Sequence, residues 1–121
     1  MPTDQPATTE QTFRPTPSAR RGPKQIDYLV GLLSDENPGN RWKAAQALGR
    51  VQDPAAVDAL LRALYDDDWR VQRKAVWALG SIGDLRAITP LRRRYTEVDE
   101  GMRELIKDAQ ELIQSRMYRP E

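Results

Sequence analysis

Apolar positions recur along this chain at helical spacing. Between Asp68 and Gly83, the residues Val71, Ala75, Ala78, Leu79 and Ile82 fall on one stripe, with charged and polar residues filling the rest. The pattern then repeats. AAQALGRVQDPAAVDALLRALYDDD at 44–68 aligns without a gap on AVWALGSIGDLRAITPLRRRYTEVD at 75–99, a shift of 31 residues. One more step back places Ile26, Leu29 and Leu33 under Val57, Leu60 and Leu64, with Asp35 under Asp66. A half-repeat therefore precedes two full ones. At the other end, a shift of 34 matches Val71, Ala75 and Leu79 to Leu105, Ala109 and Ile113, and implies three extra residues around Glu97–Gly101.

Each repeat reads as two helices and a turn. Asp68 is placed to cap the helix that follows it, because its carboxylate can accept from the orphan N–H groups of a first turn. Gly80 and Gly83 are expected to end that helix. Asp53 and Asp84 are in equal phase and cap the second helices, with Pro54 at a first position where its missing N–H does no harm. Pro90 lies deeper, which predicts a short first turn, a kink, and a restart with Thr89 as cap. The helices are expected at 25–34, 39–51, 54–65, 69–82, 85–95 and 102–117. One hairpin cannot cover its own apolar stripe, so the pairs must stack. The fold class is all-α, an α-solenoid of about six helices. Ala44, Ala47, Ala75 and Ala78 permit close approach, and Asp27, Lys107, Asp108 and Gln110 fit the polar ends of the stack.

Residues 1–24 have a different texture. They hold five of the nine prolines, several Thr, Gln and Ser, and Phe13 as the only large apolar side chain after Met1. Such a segment buries too little to offset its ordering entropy, so a disordered tail is expected there. The repeat domain is then 25–121: a half-repeat at 25–37, repeats at 38–68 and 69–99, and a C-terminal capping helix at 102–117.

Composition removes much chemistry. The 121 residues include no Cys and no His, and carry a net charge of +1. This excludes disulfides, thiol nucleophiles, His-based triads and Cys/His metal sites. No nucleophile–base pair or phosphate loop is present, no cofactor is implied, and no enzyme activity is expected. Asp66–Asp68 reads as a turn plus a cap rather than a cation site. No run reaches the ~18 apolar residues of a membrane span, and no apolar leader opens the chain, so a cytoplasmic protein is expected.

RWKAAQALG at 41–49, RKAVWALGSIGD at 73–84 and RAITPL at 86–91 resemble the short HEAT-like repeats named after phycobilisome lyases. They also resemble small stand-alone archaeal members and artificial repeat proteins patterned on them. The resemblance covers about 90 residues and implies stacked helical hairpins whose first helices line a concave, variable surface. It implies a scaffold, not a particular partner. The iron chemistry of the related deoxyhypusine hydroxylases needs His and does not carry over. Nothing beyond the repeat points to the tetrapyrroles of the lyases.

The three Trp residues are the candidate functional constellation. Arg73 lies opposite the apolar stripe, and Trp69 and Trp77 lie about 140° to either side of its centre. Trp42 takes the register of Arg73 one repeat earlier. Lys43, Gln46 and Arg50 surround it, and Arg70, Arg73, Lys74 and Ser81 accompany the other two. Exposed Trp and Arg together are the composition of a binding hot spot. The competing reading packs these rings between layers, with Trp69 covering the Asp66–Asp68 turn and the basic residues merely solvated. Alanine at Trp42 or Trp77 is expected to spare the fold if the rings face a ligand. Arg92–Arg94 falls on the opposite face, with Arg94 in reach of Glu97 or Asp99.

Charge helps to choose a partner. The matching positions on the last helix, Arg103, Glu104, Lys107, Asp108 and Glu111, carry two basic and three acidic groups. A nucleic-acid groove stays positive along its length. The expected partner is therefore a protein or peptide with an acidic or aromatic anchor, gripped by Trp42, Arg73 and Trp77, with Lys43, Gln46, Arg50, Trp69, Arg70 and Lys74 around them. Nucleic-acid binding on the same face and an accessory role in a lyase or modifying-enzyme complex are the alternatives. A monomer or a weak homodimer fits the size.

Overall fold

The computed structural model describes residues 23–117 and contains, within them, only helices and turns. The expected tail falls largely on 1–22, outside the described residues. Pro23 and Lys24 instead open the first helix, α1 (Pro23–Leu32). It is followed by α2 (Pro38–Val51), α3 (Val57–Ala63, after a 3-10 turn Pro54–Ala56) and α4 (Trp69–Ile82). Then come α5 (Ile88–Tyr95, after a 3-10 turn Leu85–Ala87) and α6 (Glu100–Met117).

The three helices α2, α4 and α6 pack side by side, and α1, α3 and α5 form a second layer against them. In that second layer α1 packs on α2, α3 on α4 and α5 on α6. The described residues thus form three hairpins, and the apparent half-repeats α1 and α6 each pair with a neighbouring helix. One continuous core joins them. Leu48, Leu60, Leu64, Leu79, Leu91, Ile106 and Ile113 are fully buried, and no polar residue is buried among those described. Each such side chain contributes about 1.5–3 kcal/mol by leaving water.

Starting points of the front helices are 31 residues apart: Pro38, Trp69, Glu100. The ungapped period therefore runs through α6, and the expected shift of 34 is wrong. Met102, Ile106, Ala109 and Ile113 are buried at the positions of Val71, Ala75, Ala78 and Ile82, while Leu105 stays half-exposed. The strong apolarity of Leu105 favoured the wrong register, because Met102 is the weaker hydrophobic signal. No extra residues sit in the preceding loop.

Punctuation follows the same ladder. Asn37, Asp68 and Asp99 each accept from a first-turn N–H: Gly39 at 2.7 Å, Arg70 at 2.8 Å and Met102 at 3.0 Å. Asp53 and Asp84 cap the 3-10 turns through the N–H groups of Ala55 and Arg86. Gln52 (φ 61°) and Gly83 (φ 75°) close α2 and α4 in the left-handed region. Two expectations fail here. Gly80 lies inside α4 rather than ending it, and a Cβ there would stand 3.0 Å from the Ala109 Cα, so its role is close approach. Thr89 is not a cap. The expected short first turn is the 3-10 turn Leu85–Ala87, but the α-helix begins after Ala87 at Ile88, with Pro90 in its first turn, where no intrahelical bond needs its N–H.

The last described hairpin carries polar residues where the others are apolar. Where α2 and α4 carry buried Ala45 and Val76, α6 carries exposed Lys107; where they carry Leu48 and Leu79, it carries Gln110. Glu111 stands at the place of Gly49 and Gly80. These polar residues, with Arg92, Tyr95 and Gln114, line an open groove at the edge of the last hairpin. Lys107 and Gln110 thus fall on this polar end, whereas Asp108 belongs to the face described next.

Candidate functional site

The open side of the α2–α4–α6 layer gathers most of the residues the sequence singled out. Trp42, Trp69, Arg70, Arg73, Lys74 and Trp77 line one depression of about 500 Å³, with Leu105 of α6 at its far wall. The helical period brings Trp69, Arg70, Arg73, Lys74 and Trp77 to one side of α4. Trp42 reaches them from the neighbouring helix α2. Lys43 and Arg50 are exposed and Gln46 is half-buried on α2, but these three do not line the depression.

Cations organise the rings. The Lys74 ammonium lies 4.9 Å from the Trp42 ring centre and 4.9 Å from that of Trp77, so it bridges the neighbouring helices α2 and α4 between two indoles. The Arg73 guanidinium stands 5.6 Å from the Trp69 ring centre. Each contact is worth about 0.5–1 kcal/mol at such exposure. No carboxylate pairs with Arg73 or Lys74 among the described residues. Arg70 differs. It forks onto its own cap, Asp68, at 3.1 and 2.8 Å, so it offers less free charge. That guanidinium, followed by the Arg70 N–H, pulls the Asp68 carboxyl down to a pKa of about 2.

The three rings have different duties. Trp69 is 61% exposed and forms a wall between this depression and a smaller one lined by Gln72, Arg94, Glu97, Asp99 and Met102. Trp77 is 39% exposed, and its other face lies on Gly49, where any Cβ would collide with the ring. Trp42 is half-buried and packs against the core. The expectation that alanine at Trp42 or Trp77 spares the fold therefore needs correction. Trp77→Ala uncovers apolar surface in the α2–α4 seam and should cost about 1–2 kcal/mol.

Two features escaped the sequence reading. The first is Leu105, hidden by the wrong register; with the period of 31 it takes the place of Lys43 and Lys74. The second is Arg41, whose side chain is 11% exposed. It bonds Asp66 at 2.8 and 3.1 Å, Asp67 at 3.0 Å, and the carbonyl oxygens of Asp35 and Glu36. It fastens the turns that hold α2 and α4. The acidic turn at Asp66–Asp67 was its signal. The Asp66–Asp68 run is thereby a turn, a clamp and a cap. On the back layer Arg92 and Arg93 are exposed. Arg94 is not merely solvated: it caps the Leu64 carbonyl at 3.0 Å, lies over Tyr65 and pairs with Glu97.

A family model for HEAT repeats matches residues 26–111, from the first core residue of α1 into α6. The chain is a member of the HEAT-repeat family. HEAT repeats generally serve as protein-interaction scaffolds, and the architecture above is theirs. The match is to HEAT repeats as such. No curated protein matches the chain closely. Among the described residues of this HEAT-repeat protein no helix is long and apolar enough to cross a membrane.

Proposed function

We propose that this HEAT-repeat protein is a non-catalytic scaffold that binds a protein or peptide partner on the open face of α2, α4 and α6. The observation that carries this reading is the set of three indoles around one depression, with Lys74 held between two of them. Large rigid rings beside unpaired cations offer area and directed charge at little entropic cost. Arg73 and Lys74 favour a partner that brings a carboxylate, and Trp69 favours an apolar or aromatic group beside it. Nucleic acid fits less well, because the exposed acids Glu104 and Asp108 of α6 interrupt the basic surface.

Trp69 and Arg73 are the cleanest probes, since neither is part of the core. Affinity capture with wild-type protein should retain a discrete partner, and the Trp69→Ala/Arg73→Ala variant should lose it by several-fold or more. The helical circular dichroism of the two should coincide. A partner retained equally by both, or lost equally with alanine at Arg92 on the back layer, overturns the reading.

A further inference from the structure

The corrected register shows how the open face changes from one helix to the next. Row by row across α2, α4 and α6, the equivalent positions are Trp42, Arg73 and Glu104; Lys43, Lys74 and Leu105; and Gln46, Trp77 and Asp108. A fourth row is Arg50, Ser81 and Leu112. The α2 and α4 side carries cations and indoles. The α6 side carries carboxylates and aliphatic groups, all partly or fully exposed. Leu105, Asp108 and Leu112 share one stripe of α6, and Leu105 also walls the Trp depression, so the two halves are contiguous.

From this we infer that the ligand of the face is an extended, charge-segregated peptide segment. Its acidic end, with an aromatic or apolar residue, lies over Trp69, Arg73 and Lys74. Its basic end lies over Glu104 and Asp108. The inference rests on the reading of this face as a partner site and adds the polarity of the partner. Neighbouring packed helices stand about 8–10 Å apart, so the step from the cations of α4 to the carboxylates of α6 takes about three extended residues, and the whole face from α2 to α6 spans roughly 20 Å, or about six. Charge complementarity along that path selects the order of the charges, which a uniformly acidic segment cannot satisfy: its far end would meet like charge on α6. The same gradient opposes a polyanion lying along the whole face.

Synthetic fluorescent peptides test this directly. Two carry a Trp-containing acidic block and a basic block, in opposite chain directions. A third has the same composition with alternating charge, and a fourth is all-acidic with the same Trp. By anisotropy at low salt, one of the two block peptides should bind about tenfold tighter than the alternating and all-acidic ones. The variant Glu104→Lys/Asp108→Lys alters only exposed positions. It should reverse the ranking and bind the all-acidic peptide best. If wild type prefers the all-acidic peptide, or the charge-reversed variant leaves the ranking unchanged, the polarity inference falls and the partner reading stands. If no peptide binds and Trp69→Ala/Arg73→Ala also leaves partner capture intact, both fall.

Discussion

The two 31-residue segments 38–68 and 69–99, each a front helix followed by a back helix, share a backbone plan and differ in what they do with it. In both, a cap residue starts the front helix, an interior glycine admits the next helix, and a left-handed residue ends it. Each then has an Asp-capped 3-10 turn that leads into the back helix. The differences fall elsewhere. Trp42 faces Arg73, Gln46 faces Trp77, Arg41 faces Gln72, and Gln52 faces Gly83 in the alignment. The lesson is a division of labour. Small residues and short polar caps hold the period, so the open positions are free to carry chemistry that changes from helix to helix.

The largest effect should come from the interior glycines, where the two repeats have the same residue under different loads. A Cβ at Gly49 would collide with the Trp77 ring and meet the Ala78 Cα at 3.0 Å. A Cβ at Gly80 would meet only Ala109 closely, at 3.0 and 3.1 Å, with Leu112 at 3.5 Å. Overpacking costs about 1–3 kcal/mol, and replacing a mid-helix glycine by alanine returns up to about 1 kcal/mol. Gly49→Ala should therefore lower stability by about 2 kcal/mol and Gly80→Ala by less than about 1 kcal/mol. In a Trp77→Ala background the Gly49→Ala cost should shrink towards that of Gly80→Ala, a coupling that a double-mutant cycle measures by urea unfolding. Equal costs in both backgrounds would mean that the ring does not press on the seam.

Next comes Arg41. Its repeat partners do related work with less: the Gln72 amide donates to the Asp66 carbonyl, and Arg103 donates to the Tyr95 carbonyl at 3.1 Å. Only Arg41 also holds a half-buried carboxylate across the turns. Arg41→Ala should cost about 1–2 kcal/mol, more than Gln72→Ala, because it leaves Asp66 without its charged donor. Arg41→Lys should restore only part of that, since a lysine lacks the planar fork that reaches carboxylate and carbonyl together. Thermal melts of the three variants decide the order.

Much of this was legible in the chain itself. The period of 31, the Asp and Pro punctuation and the buried stripe of α4 come from short-range rules, and the helices lie where those rules place them. The register of α6 was not legible, because Met102 and Leu105 compete as stripe residues and only packing against α4 decides between them. The duties of the three Trp were equally hidden. Helical phase places a ring on a face, but whether it is exposed depends on what the neighbouring helix puts there: Gly49 gives Trp77 a bed, and nothing gives Trp69 one. Arg41 went unnoticed because its partners lie in two different turns.

A smaller effect, of opposite sign, belongs to the helix ends. Gln52 holds a left-handed conformation, at φ 61°, that its counterpart Gly83 adopts without a Cβ penalty. The Gln52 side chain is exposed and the N–H caps the Leu48 carbonyl at 3.0 Å, a bond that glycine keeps. Gln52→Gly should thus raise stability by about 0.5–1 kcal/mol, the relief of strain outweighing the freer unfolded chain. A lower melting temperature would show that the strain at this end is absorbed elsewhere.

The smallest effect separates the two front-helix caps by pH. Asn37 and Asp68 are equivalent and make the same bond to the first turn, but only Asp68 is charged. Bonding to Arg70 lowers the Asp68 carboxyl from the ordinary 3.8 to about 2, so the folded state prefers it ionised more than the unfolded chain does. The stability it contributes is complete above the unfolded pKa and is lost as pH falls through the folded one, between about 4 and 2. Asp84 and Asp35 are shifted in the same direction, by Arg86 and by Asn40 respectively, and add to the loss. Asp68→Asn turns the second cap into the first: the acceptor remains and the titration disappears. Its melting temperature should lie slightly below wild type near neutrality and fall less steeply on acidification through that window. Parallel curves for the two proteins would mean that the Arg70 pair is fully screened by water and that the repeats are capped alike in energy as well as in form.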